Sequence, residues 1–241
     1  MSDMLGQVSA LIADETTSRS SLGPTEAYLH RLCAAIVRAL PASGAALTVM
    51  TEHGGRGLAI ASDGTSQLVA ELQVTLGEGP DVDAHALRRP VLASQLGDSA
   101  LSRWPSFAPA AVDAGVQAAF AFPLQIGGAT LGVLDVYRAE AGPLSAIALK
   151  QALTFAEVAV LTLLDRRWDI DAGSGPRGLE QAMADQSELY QAQGMVKVQL
   201  GVSLSEAMVR LRGHAYATDQ RLADVAREVV ARRLRLEEDA S

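Results

Sequence analysis

A chain that has one cysteine, Cys33, in 241 residues cannot close an internal disulfide or build a cysteine-based zinc or iron–sulfur site, and that scarcity fits a reducing cytoplasm. Signatures of catalysis are missing as well: there is no G-x-x-x-x-G-K-[ST] loop, no G-x-G-x-x-G behind a strand, no H-E-x-x-H and no G-x-S-x-G. The histidines are four, at 30, 53, 85 and 214, and their scatter means that a shared metal site would need coincidental folding. Long apolar runs are lacking too. The best stretches, 116–134 and 144–164, are broken by Gln117, Pro123, Gly127 and Gly128, or by Lys150 and Glu157. Neither a signal peptide nor a transmembrane span is expected. These absences predict a protein that is not an enzyme, with no metal, no membrane partner and no cofactor specified by the residues.

What is present has an ordinary globular composition, 49% hydrophobic with 20 basic and 28 acidic side chains, which excludes disordered and collagen-like classes. The length allows one large domain or a medium domain with a small appendage. The net charge of −8 hides a segregation. Residues 24–165 carry 8 Lys/Arg against 13 Asp/Glu, whereas residues 187–236 carry 8 against 5. A locally basic piece therefore sits at the end of an acidic chain.

Residues 1–23 have few large apolar groups after Leu5 and read as a loosely held or partly helical lead-in. From Pro24, Leu29, Leu32, Cys33, Ile36, Val37 and Leu40 recur at three- and four-residue spacing, which predicts an amphipathic helix with Cys33 as a buried structural thiol. Segments 45–51 and 58–62 flank His53-Gly54-Gly55-Arg56, and segments 116–126 and 129–138 meet at Gly127-Gly128, so two antiparallel hairpins are expected. Between them the pattern predicts helices over 66–76, 81–87 and 105–114 and an apolar strand over 91–93. A long helix follows over 144–164. Together these describe an antiparallel sheet with helices against one face and a concavity under the excursion between the hairpins.

Three glycines and a proline within 171–178 mark a hinge. Beyond it come three helices: one from 179 to about 200 closed by Gly201, one opened by the capping box Ser203/Glu206, and a long third one capped by Thr218 or Asp219. The expected division is a lead-in over 1–23, a sheet domain over 24–167, a connector over 168–179, a helical domain over 180–236 and an acidic tail over 237–241.

Two places invite a functional reading. The turn 77–83 combines flexibility with carboxylates, which nominates Glu78, Asp81 and His85 as candidate pocket residues for a small ligand. A plain helix start explains Asp81 and Asp83 equally well, because both complement the positive helix end. In the last unit Lys197, Arg210, Arg212, Arg221, Arg227, Arg232, Arg233 and Arg235 form a cationic surface suited to phosphates. A groove-reading helix fits poorly because the third helix reads as long and its exposed side mixes Asp224 and Glu228 with arginine. RNA loops ask for less, with arginine on phosphate and Gln193, His214 or Tyr216 against splayed bases. Charge and periodicity leave solvated helix faces and nucleic-acid binding both open.

Residues 188–230, with Ala192-Gln193-Gly194-Met195, Gly201-Val202-Ser203, Glu206-Ala207, Leu211-Arg212, Ala215, Arg221-Leu222 and Asp224-Val225-Ala226, resemble an ANTAR domain. Upstream, Gly77-Glu78-Gly79-Pro80, Arg103-Trp104-Pro105, Phe120-Ala121-Phe122-Pro123-Leu124 and the run Leu131-Gly132-Val133-Leu134-Asp135-Val136-Tyr137 resemble the GAF domains that precede ANTAR in many actinobacterial regulators. The resemblance implies an α+β protein: a GAF-type antiparallel sheet with flanking helices, then a small three-helix ANTAR domain. It implies a cytoplasmic transcription antiterminator that binds paired hairpins in nascent mRNA, as a homodimer, under control of a ligand in the GAF pocket. The 144–164 helix and the hinge would form the link. Lys197, Arg212 and Arg221 carry over as RNA-facing, with Ala192 and Gly194 small enough for close approach and Gln193 and His214 beside them. The family usually has a basic residue where Gln193 stands, and often Arg and an aromatic where Gly213 and His214 stand; the missing cations predict a flatter salt dependence. The alternative is a sensing or protein-interaction module whose C-terminal helices only dimerise.

Overall fold

The computed structural model describes residues 2–15, 24–50, 56–127, 129–171, 177–218 and 220–236. Five strands form one antiparallel sheet in the order β2-β1-β5-β4-β3, comprising β1 (Gly44–Met50), β2 (Arg56–Ala61), β3 (Val91–Ala93), β4 (Ala118–Ile126) and β5 (Ala129–Arg138). Both expected hairpins are present. Ile126 pairs with Ala129, and Gly127 supplies the positive φ of +56° that the tight turn requires. The turn at 51–55, with His53, lies outside the described residues, as do Gly128 and the acidic tail.

Strand periodicity sends alternate side chains of β5 to opposite faces, and each face carries its own core. Leu134 and Val136 join Leu32, Cys33 and Ile36 of α2 (Pro24–Ala39) and Phe155 of α7 (Ala146–Asp171). Val133 and Tyr137 instead meet Val69 and Ala70 of α3 (Gly64–Leu76), Ala84 of α4 (Pro80–Leu87), and Phe107 of α6 (Phe107–Asp113). Helices therefore cover both faces, not one. The excursion lies on the face opposite α2 and α7, because the apolar residues of β5 alternate instead of segregating. A short α5 (Asp98–Leu101), too brief to show a period, was not legible beforehand.

The lead-in is partly helical, as one of the two readings has it, but it is packed and not loosely held. It forms α1 (Ser2–Ala13), and Val8 and Ile12, one helical turn apart, are buried in the first core beside α2 and α7. The stretch Ala146–Leu164 is the one described helix long and apolar enough to cross a membrane. Here Ala152, Phe155 and Ala159 pack into the first core.

Gly132 explains part of the Leu131–Tyr137 motif. A Cβ there would strike the Thr48 carbonyl oxygen and lie 3.3 Å from the Val49 Cα, both in neighbouring β1 backbone that cannot give way. Gly132→Ala is expected to lower stability by about 1–3 kcal/mol, the usual range for overpacking, measured by urea unfolding.

Three further helices, α8 (Arg177–Leu200), α9 (Leu204–Ala217) and α10 (Leu222–Val230), enclose a third core of Ala192, Val196, Leu211, Ala215, Val225 and Val229. Gly201 at φ +66° ends α8, and the Ser203 hydroxyl accepts the Glu206 amide at 3.1 Å, so that boundary forms as its residues dictate. The third helix does not. It begins at Leu222 after an Arg221 N-cap that makes no side-chain cap bond, and Thr218 instead closes α9; Asp219 lies outside the described residues. It is nine residues long, because Arg232 turns at φ +58° while the amides of Arg233 and Leu234 close on the Glu228 carbonyl. Leu236 then folds back into the third core. The described ends of the connector are helical: α7 runs to Asp171 and α8 starts at Arg177, while 172–176, the centre of the expected hinge, lie outside the described residues.

Candidate nucleic-acid interface

The cations of the helical unit fall into three groups. Lys197 of α8 and Arg232 and Arg235 after α10 are exposed and make no ion pair among the described residues. Arg227 meets Asp224 at 2.8 Å and Glu188 at 3.4 Å, Arg210 meets Glu206 at 4.0 Å, and Arg233 grips Glu228 through two 2.8 Å hydrogen bonds. That grip holds the Glu228 carboxyl below, and the Arg233 guanidinium above, its ordinary range. All three arginines stand at the surface, where solvent screens such pairs and leaves them weak, so a phosphate can displace the carboxylate. Arg212 and Arg221 form the third group: both face α3 of the sheet domain. Arg221 reaches Glu71 at 3.1 Å, and the Arg212 guanidinium lies over Gly77.

The remaining RNA-facing candidates divide differently. Ala192 is fully buried in the third core, so its small size serves helix packing and not the approach of RNA. Gln193 donates its side-chain amide to the Leu204 carbonyl at 2.7 Å, tying α8 to the start of α9. Gly194 faces open space, since a Cβ there would meet nothing within 4 Å. His214 is half-buried in the last turn of α9, with Tyr216 exposed just beyond.

On the sheet domain, the three pocket candidates stand in different settings. Glu78 is spent as a cap: its Oε1 accepts the amides of Ser106 and Phe107 at 2.5 and 2.7 Å, ordering the start of α6. Asp83, in the first turn of α4, takes the Arg103 Nε at 2.6 Å and the Trp104 indole N–H at 3.0 Å, with the guanidinium stacked on that ring. Segments 78–83 and 103–107, each beginning in one of the motifs Gly77-Glu78-Gly79-Pro80 and Arg103-Trp104-Pro105, are thus fastened to one another. His85 lies half-buried in the last turn of α4. A cleft of about 260 Å³ opens beside β3, lined by Val91 to Gln95, Ser99, Ala100, Arg103 and Trp104; Glu78, Asp81 and His85 do not line it.

Asp81 belongs to a buried polar cluster that sequence reasoning missed. The Thr48 hydroxyl donates to its Oδ2 at 3.0 Å, and its own amide donates to the Gln73 Oε1 at 2.8 Å. The Gln73 amide nitrogen in turn donates to Asp135 and to the Tyr137 oxygen, each at 3.3 Å. Burial, reinforced by the charges of Asp135 and Asp81, pushes the Tyr137 phenol well above its ordinary value. Gly79, at φ +133°, is needed because the Gln73 side chain occupies the place of a Cβ. One signal was available: Asp135 is the only charged residue inside the apolar run of β5, and an acid there needs buried partners.

A five-stranded antiparallel sheet clothed by helices, followed by a long helix and a compact three-helix unit, defines a two-part architecture. Family models agree: the model of the GAF domain matches residues 24–163 and that of the ANTAR domain matches residues 177–230. The chain belongs to the GAF domain family and carries an ANTAR domain behind it. GAF and ANTAR are regulatory domains; ANTAR domains bind RNA, and GAF domains can bind small ligands. Among solved structures, the chain is similar to the GAF domain of a phosphoenolpyruvate-protein phosphotransferase from Coxiella burnetii, at 18% identity and a TM-score of 0.51, covering 69% of this chain and 94% of that one. It is also similar to a domain of a two-component sensor histidine kinase protein from Sinorhizobium meliloti 1021 (20% identity, TM-score 0.50, 62% and 98% covered). A third is fRMsr of Staphylococcus aureus, at 14% identity and a TM-score of 0.47 over 67% and 94%. At these identities the likeness is one of fold. Comparison with curated proteins gave no match.

Proposed function

We propose that the chain is a cytoplasmic regulator of transcription antitermination, in which the GAF domain senses a small molecule and the ANTAR domain binds paired hairpins in nascent mRNA. The observation that carries this reading is the ANTAR match over the one locally basic unit of an otherwise acidic chain. Lys197, Arg212 and Arg221 serve as phosphate contacts, with Gly194 leaving room for close approach and His214 and Gln193 at its edge. Titrating a two-hairpin RNA at several salt concentrations tests it. Arg212→Ala and Arg221→Ala are each expected to weaken binding and to reduce the slope of log affinity against log salt by about one. Binding unaffected by salt or by either substitution would favour the second reading, a helical unit that docks protein. That reading is supported by Val198, Leu204 and Val209, apolar side chains exposed on the same unit.

Two RNA hairpins call for two ANTAR units, so the chain acts as a homodimer. Helix α7 offers the surface: Ile147 and Leu161 are 74% and 55% exposed, with Leu153 between them. Two copies paired antiparallel about the midpoint between residues 153 and 154 place Lys150 of one opposite Glu157 of the other, a self-complementary match. Light scattering should find a dimer for the native chain and a monomer for Leu153→Glu; a native monomer with and without RNA removes this part.

A further inference from the structure

Helix α3 carries two different surfaces. Its inner side sends Gln73 into the buried cluster of Asp81, Asp135 and Tyr137. A second side presents Glu71, Val74 and Gly77, three residues apart and hence along one helical stripe, to the ANTAR unit. Glu71 pairs with Arg221, Val74 packs against the third core, and the Arg212 guanidinium fills the space over Gly77, where a Cβ would lie 2.9 Å from its central carbon. Gly77 is also the left-handed C-cap of α3, at φ +69°, so the absence of a side chain there both ends the helix and makes the seat for Arg212. Helix α8 touches β2 alongside.

We propose that this stripe of α3 is an internal competitor of RNA: it occupies Arg212 and Arg221, so the docked arrangement is closed to RNA and the ANTAR unit must swing off α3 to bind it. The inference rests on the RNA-facing reading of those two arginines. RNA and α3 then exclude one another, and apparent affinity falls in proportion to the fraction of chains in which the unit is docked. Control follows from the shared helix. Any event in the sheet domain that moves Gln73 moves the Glu71–Gly77 stripe, because both belong to one rigid element; α3 is a coupling route additional to the α7 connector.

The full chain is compared with Glu71→Ala, which removes the carboxylate without adding charge, and with Gly77→Asn, which keeps a residue tolerant of left-handed backbone while filling the seat of Arg212. Neither residue has been assigned to RNA. Each is titrated with the two-hairpin RNA at one ionic strength, and its radius without RNA is measured by solution scattering. Both variants are expected to be more extended than the native chain and to bind RNA about tenfold more tightly. Native affinity in both variants overturns the competition while leaving RNA binding intact. Absence of binding by all three proteins overturns the RNA reading, and this inference with it.

Discussion

Replacing Gln73 by alanine is expected to destabilise the chain by roughly 3–5 kcal/mol, as read from urea unfolding. The side chain satisfies three buried partners at once: it accepts the Asp81 amide and donates to Asp135 and to Tyr137. Deleting it leaves polar groups without those bonds inside the second core, each costing about 1–3 kcal/mol, and opens a void as well. Gln73→Leu separates the two contributions, since it preserves volume and removes only the hydrogen bonds. Gln73→Glu should do worse than leucine at neutral pH by bringing a third carboxylate beside Asp81 and Asp135, and should recover as the pH falls. Equal stability of the native and leucine proteins would show that the cluster contributes nothing net.

Cys33 is expected to resist thiol reagents in the folded chain and to react only when the chain unfolds. Its side chain is fully buried against the sheet, with its sulfur 3.6 Å from the Ile60 carbonyl. Burial, with smaller contributions from the charges of Asp135 and Asp63, pushes the thiol from 9.0 up to about 12. At pH 8 the folded thiolate fraction is therefore on the order of 10⁻⁴, and labelling should follow the unfolding equilibrium. The same shift fixes a sign for alkaline stability. Above pH 9 the unfolded thiol releases its proton while the folded one keeps it, so the folded state binds more protons and stability falls as pH rises. The slope approaches about 1.4 kcal/mol per unit between pH 9 and about 12. Tyr137 titrates in the same sense, so the difference between the native chain and Cys33→Ala isolates the cysteine. Native labelling as fast as that of the denatured chain would contradict this placement.

Charge counting located the basic unit but not the partners of its arginines. The eight cations after residue 187 are visible in the sequence, yet nothing in their spacing says that Glu71, about 150 positions earlier, will meet Arg221, or that Gly77 will seat Arg212. An ion pair between distant segments has no sequence period. The Gly77-Glu78-Gly79-Pro80 motif was legible as a turn beside a helix start, whereas its partners at Ser106 and Phe107 were not. Ala192 shows the converse error. Its small side chain, read as room for RNA, answers the closeness of the helices around it.

The sequence by itself determined the antiparallel hairpins, the helix over 24–39, the Ser203 boundary and the basic character of the last unit, because each follows from residues within one or two turns of one another. Only the tertiary structure decided that helices clothe both faces of the sheet, that α1 completes the first core, that Gln73 joins two buried acids, and that α3 sits on the arginines assigned to RNA. These outcomes depend on which distant surfaces are buried together, and a one-dimensional pattern records what a residue prefers without recording what it meets.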